Sequence, residues 1–122
     1  MIKLKLEQKH IDKAGKRQST CPIALSLKDR GFKKPRVPGT AIMTGSLYVQ
    51  SQHGPQTIRY IGINQKEQQA IMDFIRDYDD KGKKAVKPTT FKIQPAVTYP
   101  HNHEAMREHI AYRKANQNEH TS

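Results

Sequence analysis

Tryptophan is absent from the 122-residue chain, cysteine occurs once, and aromatics make up only 7%. A single thiol, Cys21, forms no internal disulfide and no cysteine-rich zinc site. No apolar run approaches the ~18 residues of a membrane-spanning helix, so no transmembrane segment is expected. The first residues, Met1-Ile2-Lys3-Leu4-Lys5-Leu6, alternate instead of forming the apolar stretch of a secretory signal, and a cytoplasmic setting is expected. Hydrophobic residues reach 34%, enough for one lean core and short of two.

Acidic residues are also scarce. Lys and Arg total 22 against 11 Asp and Glu, a formal net charge of +11. The excess is uneven. Residues 1–40 hold 11 cations and 3 acids, residues 41–80 hold 3 and 5, and residues 81–122 hold 8 and 3. A basic surface assembled from the two ends favours a polyanion or an acidic protein partner.

The patterning points to an α+β domain. Ile2, Leu4 and Leu6 alternate with Lys3, Lys5 and Glu7, the period of a half-buried strand. Residues 9–19 read as a basic loop around Gly15. Ser19 or Thr20 can cap a helix that carries Pro22 in its first turn, presents Ile23, Ala24 and Leu27 on one face, and stops at Gly31. Residues 32–40, with two prolines, read as loop. Ala41 to Gln50 reads as a strand with Ala41, Met43, Leu47 and Val49 on one face. A turn at 51–56 joins it to a second strand from Thr57 to Ile63. Asn64 and Glu67 have capping-box spacing, and Ala70, Ile71, Phe74, Ile75 and Tyr78 form a helical stripe ending at Gly82. Lys83 to Pro88 is a basic loop, and Phe91 and Ile93 mark a last short strand.

The order β-α-β-β-α-β over residues 1–94 is that of the split-βαβ, ferredoxin-like arrangement, with helices on one sheet face and the other partly open. Residues 95–122 read as a Pro-bracketed linker, a polar helix over 102–116 and a disordered end, a flexible C-terminal extension.

The alternating first strand, His10-Ile11-Asp12, the helix opening Cys21-Pro22-Ile23-Ala24-Leu25, the hairpin, Phe74-Ile75-Arg76-Asp77-Tyr78-Asp79 and Phe91-Lys92-Ile93 together resemble a set of short phage- and prophage-encoded proteins. The resemblance covers residues 1–94 and carries over no catalytic residue. It implies a viral or mobile-element origin.

Three basic segments are candidate phosphate contacts: Lys13, Lys16 and Arg17 before the first long helix; Lys33, Lys34 and Arg36 after it; Lys83 and Lys84 after the second. The last two segments, each following a helix and preceding a strand, are expected at the same end of the sheet. Gly15-Lys16 is not a P-loop, because His10 stands where the first glycine belongs and Arg17 where the magnesium-binding hydroxyl belongs. The Lys/Arg-Gly-Phe signature of RNA-recognition modules is missing too, with only Tyr60 as an aromatic on a candidate central strand.

Catalytic constellations are thin. Cys21 lies near a helix start among cations, but a nucleophile needs a base, for which only His10 and His53 offer themselves, and a group to orient it. Asp73, Asp77, Asp79 and Asp80 read as a solvated helix face. His101, His103 and His109, with Glu104 and Glu108, have no core to fix metal geometry, so a polar tail that folds on a partner is the better reading. The expectation is a small non-enzymatic nucleic-acid-binding protein, without cofactor or metal, contacting the DNA or RNA backbone. The rival is a viral module that binds or inhibits a host enzyme or complex through an acidic protein surface.

Overall fold

The computed structural model describes residues 1–52 and 54–99. His53 and the histidine-containing segment beyond residue 99 lie outside the described residues. Five strands form one antiparallel sheet: β1 (Ile2–Leu6), β2 (Lys33–Arg36), β3 (Leu47–Gln50), β4 (Thr57–Gly62) and β5 (Thr89–Tyr99). Four helices accompany them: α1 (Gln8–Lys13), α2 (Pro22–Asp29), α3 (Ala41–Thr44) and α4 (Gln65–Lys81). None is long and apolar enough to cross a membrane.

The α+β class holds, but the sheet order, β1-β5-β4-β3-β2, is not the ferredoxin-like one. There the first strand is central; here it is an edge, because β5 inserts between it and β4. The length of β5 is the reason. Its first half pairs with β1, Leu6 facing Thr89 and Ile2 facing Ile93, and its second half pairs with β4, Gly62 facing Ile93 and Thr57 facing Tyr99. The strand thus runs through Pro95 to Tyr99, past the expected boundary at Gln94. Pro95, which lacks an N–H, sits where the register slips by one residue between the Tyr60–Pro95 and Arg59–Val97 pairs.

Pairing in register puts directly opposed residues on the same face. Leu4, Leu6, Val49, Leu47, Tyr60, Phe91 and Ile93 point inward and are buried. Against them pack Ile23, Ala24 and Leu27 of α2 and Ile71, Phe74, Ile75 and Tyr78 of α4. The ring of Phe74 meets Phe91 edge-on at 5.6 Å, and Phe32 meets Tyr60 at 5.2 Å. Ala70, expected on the α4 stripe, is exposed.

Three local readings are corrected. Residues 9–19 are not all loop, because α1 occupies Gln8–Lys13. Its one apolar side chain, Ile11, is buried, too little for a visible helical period. Residues 32–40 contain β2; an edge strand tolerates Pro35, whose missing N–H costs no ladder bond there. Ala41 to Gln50 is not one strand: Ala41–Thr44 is a helical turn ended by Gly45 at φ +67°, and only Leu47–Gln50 is extended.

Capping also differs in detail. The α2 N-cap is Cys21, whose Sγ accepts the Ala24 N–H at 3.5 Å, while Thr20 Oγ1 accepts from the Arg17 N–H in the preceding turn. Asn64 caps α4 by accepting the Glu67 N–H at 2.8 Å. The Glu67 carboxylate does not close a capping box. It takes the Lys92 N–H at 3.2 Å, an amide left beyond the end of β4. Gly62 lets α4 approach β4, because a Cβ there would lie 2.4 Å from the Gln68 backbone nitrogen.

Candidate nucleic-acid interface

The strands contain Lys3, Lys5, Lys33, Lys34, Arg36, Arg59 and Lys92 and no Asp or Glu. Every described carboxylate lies on a helix or its cap: Glu7 and Asp12 at α1, Asp29 in α2, and Glu67, Asp73, Asp77, Asp79 and Asp80 in α4. The alternation that buries Leu4 and Phe91 points Lys3, Lys5 and Lys92 to the other face. There Lys3 faces Lys92, and Arg36, Tyr48, Arg59 and Val97 form a row across β2, β3, β4 and β5. Like charges in register cost stability. They are held apart by length and solvent, for Lys3, Lys5 and Lys92 are all exposed.

The three basic segments do not gather at one end. The first and third meet: Lys83 Nζ donates to the Asp12 carbonyl at 2.6 Å, and the Tyr78 hydroxyl donates to the Gly15 carbonyl at 2.8 Å. Lys13, Lys83 and Lys84 therefore cluster near the Leu6–Thr89 end of the sheet, and Lys16 and Arg17 lie in the adjoining loop. Lys33 faces Gln50 at the opposite, hairpin end, so the second and third segments do not share an end as expected. Lys34, at φ +45°, holds the left-handed turn of an irregularity that buries Pro35 and leaves Lys33 and Arg36 exposed. After Arg36 the chain rejoins the first segment, the Val37 N–H donating to the Gln18 carbonyl at 2.9 Å.

Between these loops and α4 lies a cavity of about 260 Å³, lined by Lys16, Arg17, Cys21, Phe74, Tyr78 and Asp79 among others. Burial pushes the Cys21 thiol above its ordinary pKa, opposite to what an activated thiolate needs. His10 does not serve Cys21. It is buried beside β1, bonded on both ring nitrogens.

That histidine belongs to a cluster not foreseen from the sequence. The Glu7 N–H donates to His10 Nδ1 at 2.9 Å, so the proton sits on Nε2, which donates to Asp29 at 2.9 Å. Lys9 Nζ pairs with Asp29 at 2.9 Å and Glu7 at 3.4 Å. The hydrogen bond from His10, ahead of Lys9, holds the Asp29 carboxyl below its ordinary pKa. Glu7, His10 and Asp29 have the donor types of a metal site. With Nδ1 accepting from the backbone, however, Nε2 has no free lone pair, and the Lys9 ammonium already bridges the carboxylates. The cluster locks α1 to the end of α2. It also backs a groove of about 420 Å³ at the β1 edge, where Lys3, Lys5 and Arg30 join it. The signal for it was a Glu at an N-cap with a ring nitrogen three residues on.

Two of the acidic residues of α4 are engaged locally: Arg76 pairs with Asp73 at 3.0 Å and approaches Asp77 at 3.9 Å. Tyr60, offered by the sequence as a sheet aromatic, is buried against Phe32; on the outward face Tyr48 is half-buried between two arginines in register. No protein-family model matches the chain, nor does any curated protein or solved structure.

Proposed function

We propose that the protein is a small, basic, non-enzymatic binder of nucleic acid that works through phosphate contacts. One observation carries the reading: the sheet holds cations without a single carboxylate, while the described acids are confined to helices and caps. A solvated surface chosen only for solubility mixes both signs. Segregation by element leaves one face of one sign, which attracts a polyanion over a distance set by salt. Lys33, Lys34 and Arg36 extend this face to the β2 edge. Lys13, Lys16, Arg17, Lys83 and Lys84 add cations at the far end. The likeness to short phage- and prophage-encoded proteins fits an origin on a mobile element.

The test is binding of the full chain to labelled oligonucleotides at low salt. Lys33→Glu, Lys34→Glu and Arg36→Glu together are expected to weaken it at least about tenfold, each lost phosphate contact being worth close to a decade in dilute salt. Unchanged affinity in a variant that keeps its circular dichroism removes β2 from the interface.

A further inference from the structure

We infer that the outward sheet face is a platform for single-stranded nucleic acid, with the Tyr48 ring stacking a base between Arg36 and Arg59. This rests on the nucleic-acid reading and narrows it to one class of ligand and one surface. α2 and α4 cover the opposite face, where all the fully buried strand side chains lie. On the outward face Arg36 pairs with Tyr48, and Tyr48 with Arg59. Adjacent strands lie ~4.8 Å apart, so the two guanidinium-bearing positions sit ~10 Å apart on either side of the ring. Neither arginine is in an ion pair among the described residues, and Arg59 Nε, shielded from solvent, has no hydrogen-bond partner there. Cation, ring, cation is the order needed to hold two phosphates and the base between them.

Shape decides against the duplex. A B-form major groove ~12 Å wide admits a helix or a two-stranded ribbon, not the face of a five-stranded sheet. An unpaired base offers its π-face to any accessible ring, and stacking on an aromatic tolerates every sequence. Lys92, exposed further along β5 and facing Lys3, continues the cationic track away from the Tyr48 row.

The experiment is fluorescence anisotropy with the full chain and three labelled probes: a dT 20-mer, a U 20-mer and the dT·dA duplex of the same length. Both single strands are expected to bind more tightly than the duplex. Tyr48→Ala should cost the single strands about 5- to 150-fold, the range of one lost base stack, and Tyr48→Phe should keep their affinity. Should the alanine unfold the domain, Tyr48→Ile supplies a strand-forming side chain that cannot stack, and the same loss is expected. The inference is overturned if the duplex binds as tightly as the single strands, or if folded Tyr48→Ile and Tyr48→Ala bind like the parent. In either case salt-sensitive binding would leave the broader nucleic-acid reading standing. Absence of binding to all three probes at low salt removes both.

Discussion

Reversing the charge of the outward cations Lys3, Lys5, Arg36 and Lys92 to glutamate is expected to lower single-strand affinity by on the order of 10³-fold at about 50 mM salt. The magnitude follows from counterion release. Each phosphate neutralised on a single strand contributes ~0.7 to the salt slope, which at this ionic strength is ~0.9 of a decade, and four such contacts are lost. These four positions pair across β1 and β5 and across β2 and β3 and are exposed, so the fold is expected to survive. The control reverses two cations on the helical side, half the charge of the sheet variant, with Lys28→Glu in α2 and Lys66→Glu in α4, both exposed. There only the long-range field alters, and a loss under tenfold is expected. If the control variant loses as much as the sheet variant, binding responds to net charge and not to this face.

Phe91→Ala is expected to cost about 3–5 kcal/mol, the largest effect of a single substitution on stability. Phe91 is 2% exposed, opposes Leu4 across the β1–β5 ladder and meets Phe74 edge-on. It therefore joins the edge strand, the long strand and α4 at one point. Truncation removes the ring's burial and leaves a void that three elements cannot all close at once. A domain of this size has a total stability of ~5–15 kcal/mol, so the variant loses a large share of it. The melting temperature should drop by about 15–30 °C, and urea unfolding should show an earlier midpoint with little change in slope. A loss under 1 kcal/mol would mean that β5 is not central to the core.

The sequence made the burial pattern legible wherever period and capping agreed. Leu4 and Leu6 in alternation, with Ile2 packed against them, the Ile23-Ala24-Leu27 face, and the Ile71-Phe74-Ile75-Tyr78 stripe behind Asn64 form the core. The failures have physical causes. α1 carries too few apolar side chains to show a period, and its cap uses a histidine ring nitrogen, a rarer partner than a carboxylate. β2 was hidden by Pro35, which an edge strand accommodates. The chance alternation of Ala41 and Met43 imitated a strand, although Met43 is 77% exposed. Sheet order follows from how far β5 extends, and that depends on pairing with two partners over different halves of its length, which no local pattern encodes.

The candidate site was half legible. Clustered cations in Lys13–Arg17, Lys33–Arg36 and Lys83–Lys84 were visible as runs. The cations that share the sheet face were not, because Lys3, Lys5, Arg59 and Lys92 occur singly between apolar residues. They become one surface only when the strands pair. The informative pattern was the absence of acids from all five strands, a property of elements and not of windows. Tyr48 was likewise implied to face outward once Leu47 and Val49 were placed inward, and its arginine neighbours appear only in the register.

The most direct measurement is a salt titration of the purified full chain, stripped of bound nucleic acid, against labelled single- and double-stranded DNA and RNA. Binding by the cationic sheet face gives a log affinity that falls linearly with log salt. For the Arg36, Arg59, Lys92, Lys3 and Lys5 contacts on a single strand, the expected slope is about −3.5. No binding even in dilute salt would contradict the account. The basic surface would then be a docking face for an acidic protein partner.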